Sequence, residues 1–269
     1  MRARSLLLTL AAAACVIGSR GVVEFRNHYP MAELDAVRID LPDTPLLVRG
    51  DPDEVELDIR GRWFSVGGTP GDAEDIAAAA RLDFQTEGRF AQLAADIPVA
   101  DRELVDLEVD EIILPPDRDI ELITGLGNVE VTHMTGNVSI DVLAGQVYVY
   151  GGDGGLAVRT GTGDVELLSR GVIDVYTGDG DLKLGQDGAG GNDIYAYTET
   201  GSIHLTLQSD ANLDLKITAL GDIRVQTGTV STVTSQSFSR AVGNGLVRLW
   251  LDAPLGEVTV VMAAPASDP

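Results

Sequence analysis

The chain has 269 residues, 44% of them apolar, enough for one large all-β unit or two smaller domains with a substantial core. Its net charge of −23 repels phosphate backbones and anionic headgroups, which argues against nucleic acid as a partner. One cysteine excludes any disulfide within the chain, and 31 glycines against only two lysines (Lys183 and Lys216) suit many short strands joined by tight turns.

In chain order, the first segment reads as an export signal. Arg2 and Arg4 precede the apolar run Ser5–Ala14, which is too short to span a bilayer. Small residues then lead to Cys15. Two readings compete: cleavage and lipidation of Cys15 after Ala12-Ala13-Ala14, or ordinary signal-peptidase cleavage near Ala14. The sole cysteine falls where the lipoprotein motif needs it and favours the first, although Ala12 stands where that motif usually has Leu. Removing residues 1–14 removes two arginines and no acid, leaving 17 basic against 42 acidic groups and a net charge of −25. The division expected is a signal peptide over 1–14, a linker over 15–34, a β-domain over 35–261 with an insertion at 65–100, and a disordered tail over 262–269.

Short alternating strands are expected at Ala36–Leu41, Leu46–Arg49 and Val55–Arg60. The insertion, entered through GGTPG, carries the one helix expected, Asp72–Leu82, with acids in its first turn and an alanine run. Leu104–Leu114 returns to alternation before Pro115-Pro116. From Gly127 onward one phrase recurs: GNVEV, GNVSI, GQVYV, GGLAV, GDVEL, GVIDV, GDLKL, GNDIYAY, GSIHL, ANLDL and GDIRV, at steps of 8 to 11 residues. The Gly turns the chain, the Asn or Asp after it bonds to nearby backbone, and the apolar–any–apolar triplet puts both apolar side chains on one face. Val129, Val131, Val138, Ile140 and their equivalents through Val225 form the expected inward set. Glu130, Ser139, Tyr148, Glu166, Asp174, Lys183, His204, Asp214 and Arg224 point outward. One unit cannot bury its apolar face alone, so copies must stack. A single-stranded β-helix-like solenoid, with two or three units per coil, is favoured over an antiparallel β-sandwich because the same corner phrase recurs at every turn. Near the end, Gly243-Asn244-Gly245 signals a hairpin between Phe238–Val242 and Leu246–Leu251, and Gly256–Val261 repeats the phrase once more.

The opening strands, the helical insertion, the lead-in IILPPDRDIELITGLGNVEV (Ile112–Val131) and the GNVSI and GDVEL ladder together resemble the bacterial "putative adhesin" domains of unknown function. Relatives there include auto-transporter-adhesin head domains and the toastrack domains of envelope-stress proteins. The likeness covers roughly Asp35 to Val261. It implies a mostly parallel β-solenoid on an exported protein with no established enzymatic activity, and it carries over no functional residue.

Three kinds of chemistry remain to be weighed. Toxin β-rolls bind calcium through an Asp at a fixed place in several stacked turns. Here only Asp164, Asp181 and Asp222 follow the corner glycine, so hydrogen bonding at the corners is the simpler role. Catalysis lacks a GxSxG elbow, an HExxH motif or a P-loop, and His28, His133 and His204 show no metal-type spacing; neither an enzyme nor a cofactor is expected. A calcium-stabilised or polysaccharide-active β-helix is therefore the third reading. Recognition is the first. Tyr148, Tyr150, Tyr176, Tyr195 and Tyr197 all alternate outward, and they form a binding surface for a glycan or a protein if the coil brings them to one face; otherwise they reflect the strand propensity of Tyr. The expectation is an exported envelope protein in the periplasm or at the cell surface, lipid-anchored to the membrane, with an adhesive or structural role. A sensor module binding an envelope-stress partner is the alternative.

Overall fold

The structure, a computed structural model, describes residues 18–186, 192–207, 213–227, 230–242 and 247–262. The signal segment, Cys15, the Gly243–Gly245 turn and the tail beyond Met262 lie outside them. The fold is an all-β solenoid of two parallel ladders facing each other across one apolar core.

Six strands stack in each ladder, the repeated phrase supplying the last four on the front and the last five on the back. On the front ladder lie β2 (Ala36–Asp40), β8 (Asp119–Leu126), β10 (Val138–Ala144), β12 (Leu156–Thr162), β14 (Ile173–Asp179) and β16 (Ile194–Thr200), paired in parallel in that order. On the back ladder lie β3 (Leu46–Gly50), β9 (Val129–Thr132), β11 (Val147–Tyr150), β13 (Val165–Ser169), β15 (Leu182–Gln186) and β17 (Ile203–Leu207). Each coil therefore uses two units, one per ladder, and Val138 lies beside Ile120 and Leu156, eighteen residues to either side. The parallel pairing rules out the sandwich. All of the inward set, from Val129 to Val225, is buried. Each such Val, Leu or Ile contributes roughly 1.5–3 kcal/mol by leaving water.

The corners are where the sequence is most constrained. Gly127, Gly145, Gly163, Gly180 and Gly201 stack at one corner with φ between 143° and 156°. A Cβ on Gly163 would sit 2.0 Å from the carbonyl oxygen of Gly145, and one on Gly180 would sit 2.2 Å from that of Gly163. The Asn and Asp that follow act between coils. Asn128 Oδ1 accepts from the Gln146 N–H at 3.0 Å, Asp164 Oδ1 from Asp181 N–H at 2.9 Å, and Asp181 Oδ1 from Ser202 N–H at 2.7 Å. Inside the front ladder Thr177 and Thr198 are buried, and their hydroxyls donate to the carbonyls of Gly163 and Gly180 at 3.2 and 2.9 Å. Corner glycine, Asx side chain and inward threonine thus form one inter-coil hydrogen-bond system.

The N-terminal end departs from the expected division. Ser19–Pro30, expected within a linker over 15–34, is β1, paired antiparallel along its length with β4 (Glu56–Gly67). Its alternating Val23, Phe25 and Tyr29 pack against the core, which is why it joins the domain. The segment 65–100 is part of this cap as much as an insertion. The helix α1 runs Pro70–Ala79 rather than Asp72–Leu82: the Thr69 side chain accepts from the Asp72 N–H, Pro70 opens the first turn, and Ala80 adopts extended backbone. Leu82 begins the inward face of β5 (Arg81–Glu87), which pairs antiparallel with β6 (Phe90–Asp96). β6 then joins the front ladder beside β2, and β7 (Val105–Leu114) joins the back ladder between β3 and β4. Tyr29 stacks on Phe84 with ring centroids 4.4 Å apart, tying β1 to β5.

One ion pair in this cap is buried on the carboxylate side. Asp58 is 4% exposed and receives Arg26 Nη2 at 2.6 Å. Hydrogen bonds from Arg26 hold the Asp58 carboxyl below its ordinary range, against the opposing effect of burial. A lowered folded-state pKa contributes stability above the unfolded value of about 3.9, and that contribution is lost as pH falls through the lower folded value. Arg26→Ala is therefore expected to lower the urea midpoint clearly at pH 7, with the gap to the wild-type chain closing as pH falls through the carboxylate range. A gap that stays constant from pH 7 to pH 3 would contradict this.

The C-terminal end is not in chain order. After β17 the chain moves outward to β18 (Leu213–Thr227), which bends round a corner and spans both ladders, and returns antiparallel to it as β19 (Val230–Val242). Only then do β20 (Val247–Ala253) and β21 (Val258–Met262) fill the remaining coil, β20 between β16 and β18 and β21 between β17 and β18. The hairpin thus joins β18 to β19; β19 and β20, expected to pair across Gly243–Gly245, do not pair. The reason is burial: Val247, Leu249 and Leu251 alternate like every coil strand and are buried between two parallel neighbours.

Along β19 the inward pattern changes. The residues opposite the buried Leu215, Ala219, Ile223 and Val225 of β18 are Arg240, Gln236, Thr234 and Thr232. Directly opposed residues of an antiparallel pair share a face. Among the described side chains the last strand therefore presents mainly polar groups where the coils before it present mainly aliphatic ones, with Phe238 packed on the core.

Candidate functional site: an aromatic groove on the front ladder

Alternation fixes two outward rows on the front ladder. The first runs Glu121, Ser139, Ala157, Asp174, Tyr195, Trp250, Lys216. The second, two residues along each strand, runs Asp141, Arg159, Tyr176, Tyr197, Asp252. Between the rows the inward-pointing residues leave only backbone at the surface. On β14 and β16 this makes a hollow of about 550 Å³ with Val175 and Ala196 as its floor, Tyr195 and Trp250 on one side, and Tyr176 and Tyr197 on the other. Asp174, Arg159 and Asp252 complete the lining.

The walls are held in place. The rings of Tyr176 and Tyr197 are parallel within 2° and 5.2 Å apart. The Tyr176 hydroxyl donates to Glu199 at 2.6 Å, and that bond holds the phenol above its ordinary pKa. Lys216 Nζ lies 4.2 Å from the centre of the Trp250 ring, and Trp250 remains 47% exposed. Beside the hollow, Asp193 accepts from the backbone and side chain of Arg248, and these bonds hold its carboxyl below the ordinary range. They fix β20 to β16 at the corner.

The five outward tyrosines therefore divide. Tyr176, Tyr195 and Tyr197 share the front face. Tyr148 and Tyr150 lie on the back ladder, 6.5 Å apart, with the Tyr148 hydroxyl donating to Gln146 at 2.6 Å. Trp250 was missed because β20 lies 55 residues beyond its neighbour β16. Its outward direction was legible in the alternation of VRLWL, but its neighbours were not.

The groups weighed for metal and acid–base chemistry have other partners. Asp164 and Asp181 accept corner N–H groups, and Asp222 pairs with Arg224 at 3.6 Å. Among the described residues, no group of three or more His, Cys, Asp or Glu converges where a metal ion could sit. His28 lies by Asp58 on the cap, and His204 is exposed on the back ladder.

No family model matches the chain, and no curated protein matches it. Among solved structures it is similar to a "putative cell adhesion protein" from Clostridium sporogenes, 12% identical over 90% of this chain and 100% of that one, with a TM-score of 0.35. It is also similar to a "putative adhesin" from Bacteroides fragilis, at 14% identity over 88% and 97% with a TM-score of 0.46. A third, a "putative adhesin" from Parabacteroides merdae, is 12% identical over 89% and 96% with a TM-score of 0.26. At identities and TM-scores this low the likenesses carry no argument about role, and the solenoid stands on its own strand pairings.

Proposed function

We propose that this chain is an exported, lipid-anchored envelope protein without catalytic function that adheres to a glycan through its front ladder. The observation that carries the reading is the hollow between two aromatic rows, with carboxylates at its ends that can accept sugar hydroxyls. A protein partner would need a contact of roughly 800 Å² per side. Asp141, Arg159, Asp174 and Asp252 lie among the rings as polar partners suited to sugar hydroxyls.

Placement supports the same reading. β1 begins four residues after Cys15 and belongs to the N-terminal cap, so a lipid on Cys15 puts that cap at the membrane. The aromatic rows lie in the coils nearest the opposite end, about 30 Å further along the axis at about 4.8 Å per strand step. A tethered solenoid would present them outward.

The test is binding of the mature protein to an array of immobilised glycans, followed by Tyr197→Ala and Trp250→Ala. Each is expected to weaken binding roughly tenfold, the effect of losing a central aromatic contact worth about 1.4 kcal/mol. Both side chains lie outside the core, so the unfolding midpoint should move little. Unchanged glycan binding in both variants would refute the proposal, and capture of a protein instead would replace it with the sensor reading.

A further inference from the structure

The aromatic hollow does not end at Asp174. A second hollow of about 470 Å³ adjoins it there, one row nearer the corner, with a floor of Val37, Ile120, Val138 and Leu156 backbone. Its far end is Phe90, outward on β6 and 39% exposed. The two hollows share Asp174 in their linings, and the first-row residues leading up to it are small. Ser139 and Ala157 stand where the same row later carries Tyr195 and Trp250, and Gly155 occupies the corner beside them. Taken together as one trough they run obliquely across the strands from β6 to β20, seven strand steps or about 34 Å at about 4.8 Å each. Aromatic side chains mark both ends and small ones the middle.

Charge narrows what it accepts. Asp119, Glu121, Asp174 and Asp252 line the trough against a single lining cation, Arg159. Two of the four are already engaged: Glu121 faces Arg38 at 3.4 Å, and Asp119 accepts from the Asn137 N–H at 2.7 Å. Asp174 sits at the junction itself. A chain bearing carboxylates or phosphates would meet Asp174 at the junction and Asp252 beyond it, in a protein whose overall charge is already strongly negative.

We infer that the ligand of this face is an extended, unbranched glycan without acidic groups, lying along the trough from the aromatic rows toward Phe90. The inference rests on the glycan reading and adds the length, direction and charge of the ligand. A linear chain follows from two hollows set end to end, of which a single sugar would occupy only part of one.

Calorimetric titration of the mature protein with cellobiose, cellohexaose, a chitosan hexamer and hexagalacturonate tests it. Affinity should rise at least tenfold from the disaccharide to the hexamer, and hexagalacturonate should bind most weakly. Ala157→Arg, an exposed substitution at the junction, should bring the hexamer back to the disaccharide level, and Ser139→Arg should act alike, with unchanged urea midpoints in both variants excluding a folding defect. Affinity flat with length, or a hexamer indifferent to both arginines, would overturn the trough and leave the aromatic hollow standing. Preference for hexagalacturonate would overturn the charge argument. Failure of every sugar to bind would remove the glycan reading and this inference with it.

Discussion

Gly163→Ala is expected to be among the most damaging single substitutions in the chain, although it adds one methyl group. The backbone at Gly163 has φ 144°, which side chains rarely adopt, and the new Cβ would lie 2.0 Å from the Gly145 carbonyl oxygen. That oxygen belongs to backbone in the next coil, so relief requires the coils to part. Backbone strain of about 1–3 kcal/mol and overpacking of similar size add to a loss of roughly 3 kcal/mol or more. Gly151→Ala is the control. Gly151 also has positive φ, 78°, but nothing lies within 4 Å of its Cβ position, so only the conformational cost of about 1–2 kcal/mol applies. Urea unfolding of both variants measures the difference. Equal losses would mean that coil spacing is not what the corner glycines protect.

The second large effect concerns the end of the stack. Thr232→Val, Thr234→Val and Arg240→Leu together would replace three of the four polar groups that β19 sets opposite buried β18 residues, leaving Gln236. An unpaired strand edge with an apolar face is a template for another chain. The triple variant is expected to associate, with a sedimentation mass that climbs with concentration well above that of the wild-type chain. The natural residues prevent this by offering a docking coil hydroxyls and a guanidinium, which it would have to bury. A triple variant that matches the wild-type mass at every concentration would show that β19 is not the barrier to growth.

The parts of the fold legible in the sequence are those governed by local alternation. Val138 and Ile140 bracket Ser139, and nothing but an inward–outward–inward strand accommodates that pattern beside a corner glycine. The same logic placed Tyr176, Tyr195 and Tyr197 outward. Two kinds of information were missing. Alternation does not say which strands are neighbours, so ANLDL and GDIRV read as two successive units when they are the two arms of one strand, β18, at the far end. It was equally silent on Trp250, whose place beside Tyr195 depends on β20 entering a coil left open by an earlier segment. The caps were obscured for another reason. β1 alternates, but its Val23, Phe25 and Tyr29 are only half-buried, and what ties it to the domain is its backbone pairing with β4, a non-local contact.

The late entry of β20 and β21 gives the molecule a keystone. Every earlier coil can settle as soon as its two strands emerge, on a finished neighbour. The last cannot: β18 and β19 must wait, displaced by one layer, until residues as far as Met262 arrive to fill the space beneath them. Without β20 and β21 the stack would hold two raw edges and an open interior beside Tyr197, a state open to proteolysis.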